Sequence, residues 1–277
     1  MCELNIRPKV SVIMGVYNIV GLGDVFSRAV DSVLGQTMRD FEFLICDDGS
    51  VDGTGDILRQ IADGDERVRL LKNEKNLGLA ATLNHCLSEA RGAFIARQDS
   101  DDISASDRFA RQICFLEECE DISFVGANID LWDNGGTWGE RIFPEFPQVQ
   151  DFLFTMPFVH GALMFRKSAL DHVGGYRVAK ETRRTEDYDM LMRMYAAGLR
   201  GANLQSKLYA FLEDQAAQKR RKYLYRIDEA RVRWKGFRAL GLLPRAFPYV
   251  VKPLIVGLIP KGLLFRWKCK KVYRLRK

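Results

Sequence analysis

Five short apolar runs, separated by stretches with helical periodicity, dominate the first half of this 277-residue chain. They cover residues 9–16, 41–46, 68–71, 92–96 and 122–127. Runs this short, rich in Val, Ile and Phe and without polar alternation, suit strands buried on both faces. Between them, 25–36, 54–62, 78–90 and 107–118 carry apolar residues every three or four positions. In 78–90 the stripe is Leu79, Leu83, Cys86, Leu87 and Ala90. Repeated β-α units of this length imply an α/β fold, a mostly parallel sheet flanked by helices. After residue 128 the turn-rich WDNGGTWGE and the prolines at 144, 147 and 157 indicate loops around an antiparallel excursion. Another strand is expected over 161–166, and a helix over 186–197 with Met190, Leu191, Met194 and Tyr195 inward.

Charge divides the chain. Residues 219–277 hold 19 Lys and Arg against Asp228 and Glu229, a balance of +17. The first 218 residues keep 23 basic and 34 acidic groups, a balance of −11. We therefore divide the chain into an acidic α/β unit, 1–218, and a basic helical extension, 219–277. In the extension Tyr223, Ile227, Ala230, Trp234 and Phe237 recur at helical spacing. Its longest uncharged apolar run lies between Lys252 and Lys261, far short of the ~20 residues of a spanning helix. Dense Lys/Arg with Trp267 and Tyr273 fits a helix lying on an anionic membrane surface. No recognised nucleic-acid motif is present. The N-terminus lacks the apolar core of a secretion signal, so a cytoplasmic location is expected. The six cysteines show no metal-ligand spacing and read as small core residues of a reducing compartment.

Three polar clusters follow the strand-like runs. Asp99-Ser100-Asp101-Asp102 follows the fourth run, and carboxylates so close repel one another unless a cation holds them. Oxygen-only ligands suit Mg2+ or Mn2+ bridging a diphosphate. A helix cap with solvated neighbours would use the same residues. Asp47-Asp48-Gly49-Ser50 follows the second run, where an Asp could accept from a nucleotide base, or simply close a turn. Tyr17-Asn18 follows the first and places a ring on the same edge. Open α/β sheets bind ligands at that edge.

The stretches VSVIMGVYN, SVLGQT, FEFLICDDGSVDGT, NLGLAATLN, FIARQDSDDISASDR, HGALMFRKSAL, VGGYR and TEDYDMLMRM resemble the family 2 glycosyltransferases of GT-A fold, over roughly residues 9–198. The resemblance implies that Tyr17 and Asp47, with Asp48 beside them, meet the nucleotide of a nucleotide-sugar donor. It implies that Asp99 and Asp101 form a DxD motif holding a metal and the donor diphosphate, and that Asp187 is the catalytic base. Glu186 and His160 are candidates for supporting or acceptor contacts, and 214–221 for a basic lid over the phosphates. The implied reaction is inverting transfer, with UDP expected first and dTDP and GDP open. The acceptor would be a glycan or a polyprenyl-diphosphate-linked sugar of bacterial surface-polysaccharide assembly. Gly15 stands where the family often has proline. The Q-x-x-R-W motif of processive synthases is absent, so transfer of one or a few sugars is expected. A nucleotidyltransferase would carry a basic residue in GVYNIVGLGD, which has none. A non-catalytic membrane-docking relative would not need Asp99, Asp101 and Asp187 together.

Overall fold

The computed structural model describes residues 7–133, 135–213 and 223–259. The five apolar runs form β1 (Val10–Val16), β2 (Phe41–Asp47), β3 (Val68–Lys72), β4 (Phe94–Arg97) and β6 (Phe124–Asp133). Four further strands are β5 (Ile103–Ser104), β7 (Gly136–Arg141), β8 (Met164–Arg166) and β9 (Gly201–Leu212). The sheet order is β3-β2-β1-β4-β8-β6-β9-β5, with β7 beside β6. β1, β2, β3 and β4 are parallel, as are β6 and β9. β8 runs antiparallel to both neighbours, and β6–β7 forms the expected antiparallel excursion.

Side chains alternate across each strand, so each run feeds two cores. Ile13, Leu44 and Ile95 face one layer, where Leu83 and Cys86 of α3 (Leu79–Glu89) meet them. Val12, Met14, Phe43, Ile45 and Ala96 face the other. There they meet Phe26 and Val30 of α1 (Asp24–Leu34), Leu58 of α2 (Thr54–Gly64) and Phe109 of α4 (Arg108–Glu118). The first layer continues into α5 (Lys167–Val173) and α6 (Glu186–Ala196).

The C-terminal helices α7 (Leu224–Ala239) and α8 (Phe247–Leu258) join this same core through Ala230, Val232, Phe237 and Val250. Arg233 Nη1 donates to the Leu153 carbonyl at 2.9 Å, and Lys235 pairs with Glu181 at 2.7 Å. The stripe expected for this segment is therefore only partly the packed one. Ala230 and Phe237 are buried, whereas Tyr223 and Trp234 stay 44% exposed. Trp267, Tyr273 and the proposed lid at 214–221 lie outside the described residues. Among those described, no helix is long and apolar enough to cross a membrane.

Two readings need correction. Of the cysteines, Cys46 and Cys86 are core residues, but Cys114 is exposed because it sits on the outer face of α4. β9 was not expected from sequence. Its register against β6 slips around Asn128, which breaks the two-residue alternation that marks a strand.

Gly49 positions the turn after β2. Its φ is +71°, and an added Cβ would lie 2.6 Å from the Lys75 carbonyl carbon. Backbone strain and overlap act together there. Gly49→Ala is expected to lower the urea-unfolding free energy by roughly 2–4 kcal/mol. Gly64→Ala, whose Cβ meets nothing within 4 Å, should change it little.

Candidate active site

Because β1, β2 and β4 are parallel, the segments following them open on one edge of the sheet. Tyr17, just past β1, is 48% exposed. The loop beyond it is fastened to the loop after β2. Asn18 N–H donates to Ser50 Oγ (2.9 Å), Ile19 N–H to Thr54 Oγ1 (3.0 Å) and Val20 N–H to Asp52 Oδ2 (3.1 Å). Val51 N–H returns a bond to Asn18 Oδ1 at 3.1 Å, with Asn18 at φ +50°.

The two adjacent aspartates do different work. Asp47 Oδ1 accepts from Ser50 N–H at 2.9 Å and closes the turn. Asp48 is buried and faces the loop that follows β3. It accepts from Asn73 Nδ2 (2.9 Å), Leu77 N–H (2.8 Å) and Gly78 N–H (2.9 Å). With three donors on its carboxylate, Asp48 shapes the rim of the edge by holding a second loop beneath it.

Arg97, the last residue of β4, is fully buried and pairs with Asp99. It also donates to the Gln98 and Ile13 carbonyls. Gln98 turns inward and donates to the Asp102 carbonyl at 2.8 Å, so the 99–102 loop is held from within. Tyr209 of β9 comes up beneath it, and its hydroxyl accepts from Asp99 N–H at 3.2 Å. Gly161 permits this approach: a Cβ there would lie 2.2 Å from the Tyr209 oxygen and 2.8 Å from Asp99 Oδ2. Asp102 is buried and accepts from Leu212 N–H at 2.7 Å. Burial, with Asp99 and Asp101 beside it, pushes its carboxyl well above the usual range. Asp99 and Asp101 are only partly buried.

Glu186 and Asp187 open α6, where helix N–H groups favour an anion. Asp187 Oδ1 accepts from Tyr188 N–H at 2.7 Å. Burial raises Asp187 to about 6; Asp99 adds to the rise, while Tyr188 N–H and Arg97 oppose it. Burial and the Asp187 charge raise Glu186 to about 7. The structure therefore brings Asp99 and Asp187 into one electrostatic field with Arg97 behind it. His160 is buried and bonds Tyr176 Oη through Nε2 at 2.7 Å. Burial and Arg97 hold it well below its usual range, hence neutral. It fixes Tyr176, whose main chain is clamped on both sides by the Asn84 side chain.

The donor set is oxygen-only, and two carboxylates leave most positions of a hard cation to phosphate oxygens and water, the usual Mg2+ arrangement. Among the described residues no group of three or more His, Cys, Asp and Glu could by itself hold a metal. The residues present thus fit a cation shared with a diphosphate, and do not form a closed protein site.

Residues 11–174 match the family model described as glycosyl transferase family 2. The chain belongs to that family. It is 41% identical over 270 residues to the "Putative glycosyltransferase EpsE" of Bacillus subtilis (strain 168), covering 97% of this chain and 96% of that one. It is 29% identical over 280 residues to an Escherichia coli "UDP-Gal:alpha-D-GlcNAc-diphosphoundecaprenol beta-1,3-galactosyltransferase", covering 96% and 97%. Among solved structures, Staphylococcus aureus TarS 1–349 in complex with UDP-GlcNAc aligns with a TM-score of 0.68 at 18% identity. That alignment covers 88% of this chain and 73% of TarS, and is a likeness of fold. The chain is accordingly a glycosyltransferase of GT-A fold and of the bacterial polysaccharide-building type.

Sequence reasoning passed over Arg97, Tyr209, Tyr176 and Asn73. Arg97 alone left a signal, a charge inside an apolar strand two residues before the acidic cluster.

The raised Asp187 has a testable sign. The folded chain holds this proton more tightly than the unfolded chain, so its contribution favours folding at low pH. That contribution is lost as pH rises from about 4 through about 6. Asp187→Asn should therefore stabilise the protein at pH 8, by roughly 1–3 kcal/mol, and have no effect near pH 4. Thermal unfolding at the two pH values measures this, and an equal shift at both would exclude a buried, raised carboxyl.

Proposed function

We propose that this enzyme transfers one sugar from a nucleoside-diphosphate donor, UDP first among the bases, to a hydroxyl of a lipid-diphosphate-linked glycan. Transfer inverts the anomeric carbon. The observation that carries the reading is Asp187, a carboxylate raised to about 6 in the same field as Asp99 at the ligand-binding edge of the sheet. The uridine lies against Tyr17 and Asp47, on the platform built by the two fastened loops. The diphosphate points to Asp99 and Asp101. Asp187 takes the acceptor proton as that oxygen attacks the anomeric carbon, while the bond to the diphosphate breaks on the opposite side. A single displacement with no enzyme nucleophile inverts the configuration. Mg2+ or Mn2+ held between Asp99, Asp101 and the donor would neutralise charge on the departing diphosphate. Tyr176, held by His160, lies within the electrostatic reach of Asp187 and Glu186.

The UDP-Gal donor and undecaprenol-linked acceptor named for the Escherichia coli relative, and the UDP-GlcNAc bound to TarS, support donor and acceptor classes. A lipid-linked acceptor puts the reaction at the cytoplasmic face of a membrane, with residues 219–277 as the membrane-facing part.

Thermal shift with UDP and UDP-sugars, each with and without Mn2+, tests the site, since ligands of the folded state raise the melting temperature by mass action. The wild type should respond to the nucleotide only with the cation, and Asp101→Ala should not respond. Asp187→Asn should keep the shift while transfer falls roughly 100-fold to 10,000-fold. An unchanged metal-dependent shift in Asp101→Ala would remove that residue from the site.

A further inference from the structure

The helices α6, α7 and α8 bring one exposed apolar end of the molecule beside the catalytic base. α7 runs alongside α6 in the same direction: Arg184 stacks over Tyr225 at 5.3 Å, Arg233 over Tyr188 at 5.1 Å, and Gly236 packs on Met192. α8 returns antiparallel to α7, since Trp234 meets Phe247 at 6.3 Å and Tyr223 lies against Gly257. The start of α7 and the end of α8 therefore both lie at the Arg184–Asp187 end of α6. There Leu224 is 67% exposed, Ile255 59% and Leu258 75%, with Tyr223 and Ile259 beside them. Arg183 and Arg184 are exposed on the loop leading into Glu186.

The geometry points to this end as a docking face for an anionic lipid surface, one that presents a lipid-linked acceptor to Asp187. The inference deepens the proposed function and rests on its reading of the acceptor. Apolar side chains rimmed by Lys and Arg are what an interfacial segment requires, the first entering the headgroup boundary and the second meeting anionic headgroups. Charge separates this occupant from the two others available. Residues 260–277 continue from Ile259 with eight basic and no acidic residues. They would meet like charge on Arg183 and Arg184. A second copy would bring the same basic rim. Only an anionic partner complements it.

The test uses the full chain and sedimentation with phosphatidylcholine vesicles, with and without one-third phosphatidylglycerol. The wild type should bind the anionic vesicles and lose them at high salt. Leu224→Glu/Ile255→Glu/Leu258→Glu, all at exposed positions, should weaken binding at least tenfold, and Arg183→Ala/Arg184→Ala roughly tenfold or more, at about fivefold per charge. Trp234→Glu, at the opposite end of the helix pair, should bind within about twofold of wild type. Each variant must keep the UDP–Mn2+ thermal shift, which excludes unfolding. Triple-variant binding equal to wild type, or a loss with Trp234→Glu alone, overturns the face. So does a wild type that ignores anionic vesicles or self-associates through these residues. The triple variant should also lose transfer to a lipid-linked acceptor and retain transfer to the same sugar on a short soluble aglycone. Vesicle binding that depends on these residues, with no transfer to any lipid-linked acceptor, leaves the face standing and overturns the acceptor reading instead.

Discussion

A guanidinium with no access to water sits at the centre of this site. Arginine does not shed its proton in a protein, so a fully buried Arg97 must be answered by a nearby anion. Burial opposes its charge, but Asp99 first, then Tyr176 and Tyr209, outweigh that opposition, and its value is raised. The consequence runs both ways. Asp99 is held by the group behind it, and Glu186 and Asp187 share that fixed counter-charge. Asp187 and Glu186 both feel Arg97 pulling against the burial that raises them. Loss of the Asp99 carboxylate would leave a buried charge unpaired, a change that costs roughly 3–5 kcal/mol in other proteins. Activity lost in an Asp99 variant therefore mixes chemistry with stability.

The same economy of carboxylates recurs at each strand end. Asp48 and Asp102 are buried and bond to segments far along the chain. Each receives main-chain N–H groups from a distant segment, residues 77–78 for Asp48 and Leu212 for Asp102. Asp47, as buried as Asp48, closes its own turn, while Asp99 and Asp101 stay partly exposed. One aspartate of each cluster thus ties a loop, and the loops so tied hold the others in place. This arrangement explains how an acidic edge can be rigid before any ligand arrives, which electrostatic stabilisation of a leaving group requires.

The parallel half of the fold was legible because its strands are short, apolar and buried on both faces, and because helical stripes separate them. The acidic clusters were legible as clusters, yet not in their division of labour: nothing in Asp47-Asp48 or in Asp99-Ser100-Asp101-Asp102 says which carboxylate turns inward. That depends on N–H groups 29 to 110 residues away. β9 was hidden for a related reason. It supplies Tyr209 to the 99–102 loop, but its pairing with β6 is bulged, and a bulged strand loses the alternation that would announce it. The basic segment read as a surface helix from composition, whereas Val232, Arg233 and Phe237 carry α7 into the core. Arg233 enters because Glu229 and the Leu153 carbonyl satisfy it, and Tyr188 lies under its guanidinium.

The packing of α7 also links the first turn of α6 to the exposed end of the molecule. Tyr188 follows Asp187 directly, and its ring touches both Phe152 and the Arg233 guanidinium. Lys235 of α7 reaches Glu181, three residues before Arg184. The first turn of α6, which sets where Asp187 points, is therefore buttressed by the helix that also carries the exposed end. A helix belonging only to an appendage would have no reason to place an arginine and a phenylalanine inside the catalytic core. Packed this way, α7 ties the first turn of α6, where Asp187 lies, to the exposed end of the α7–α8 pair.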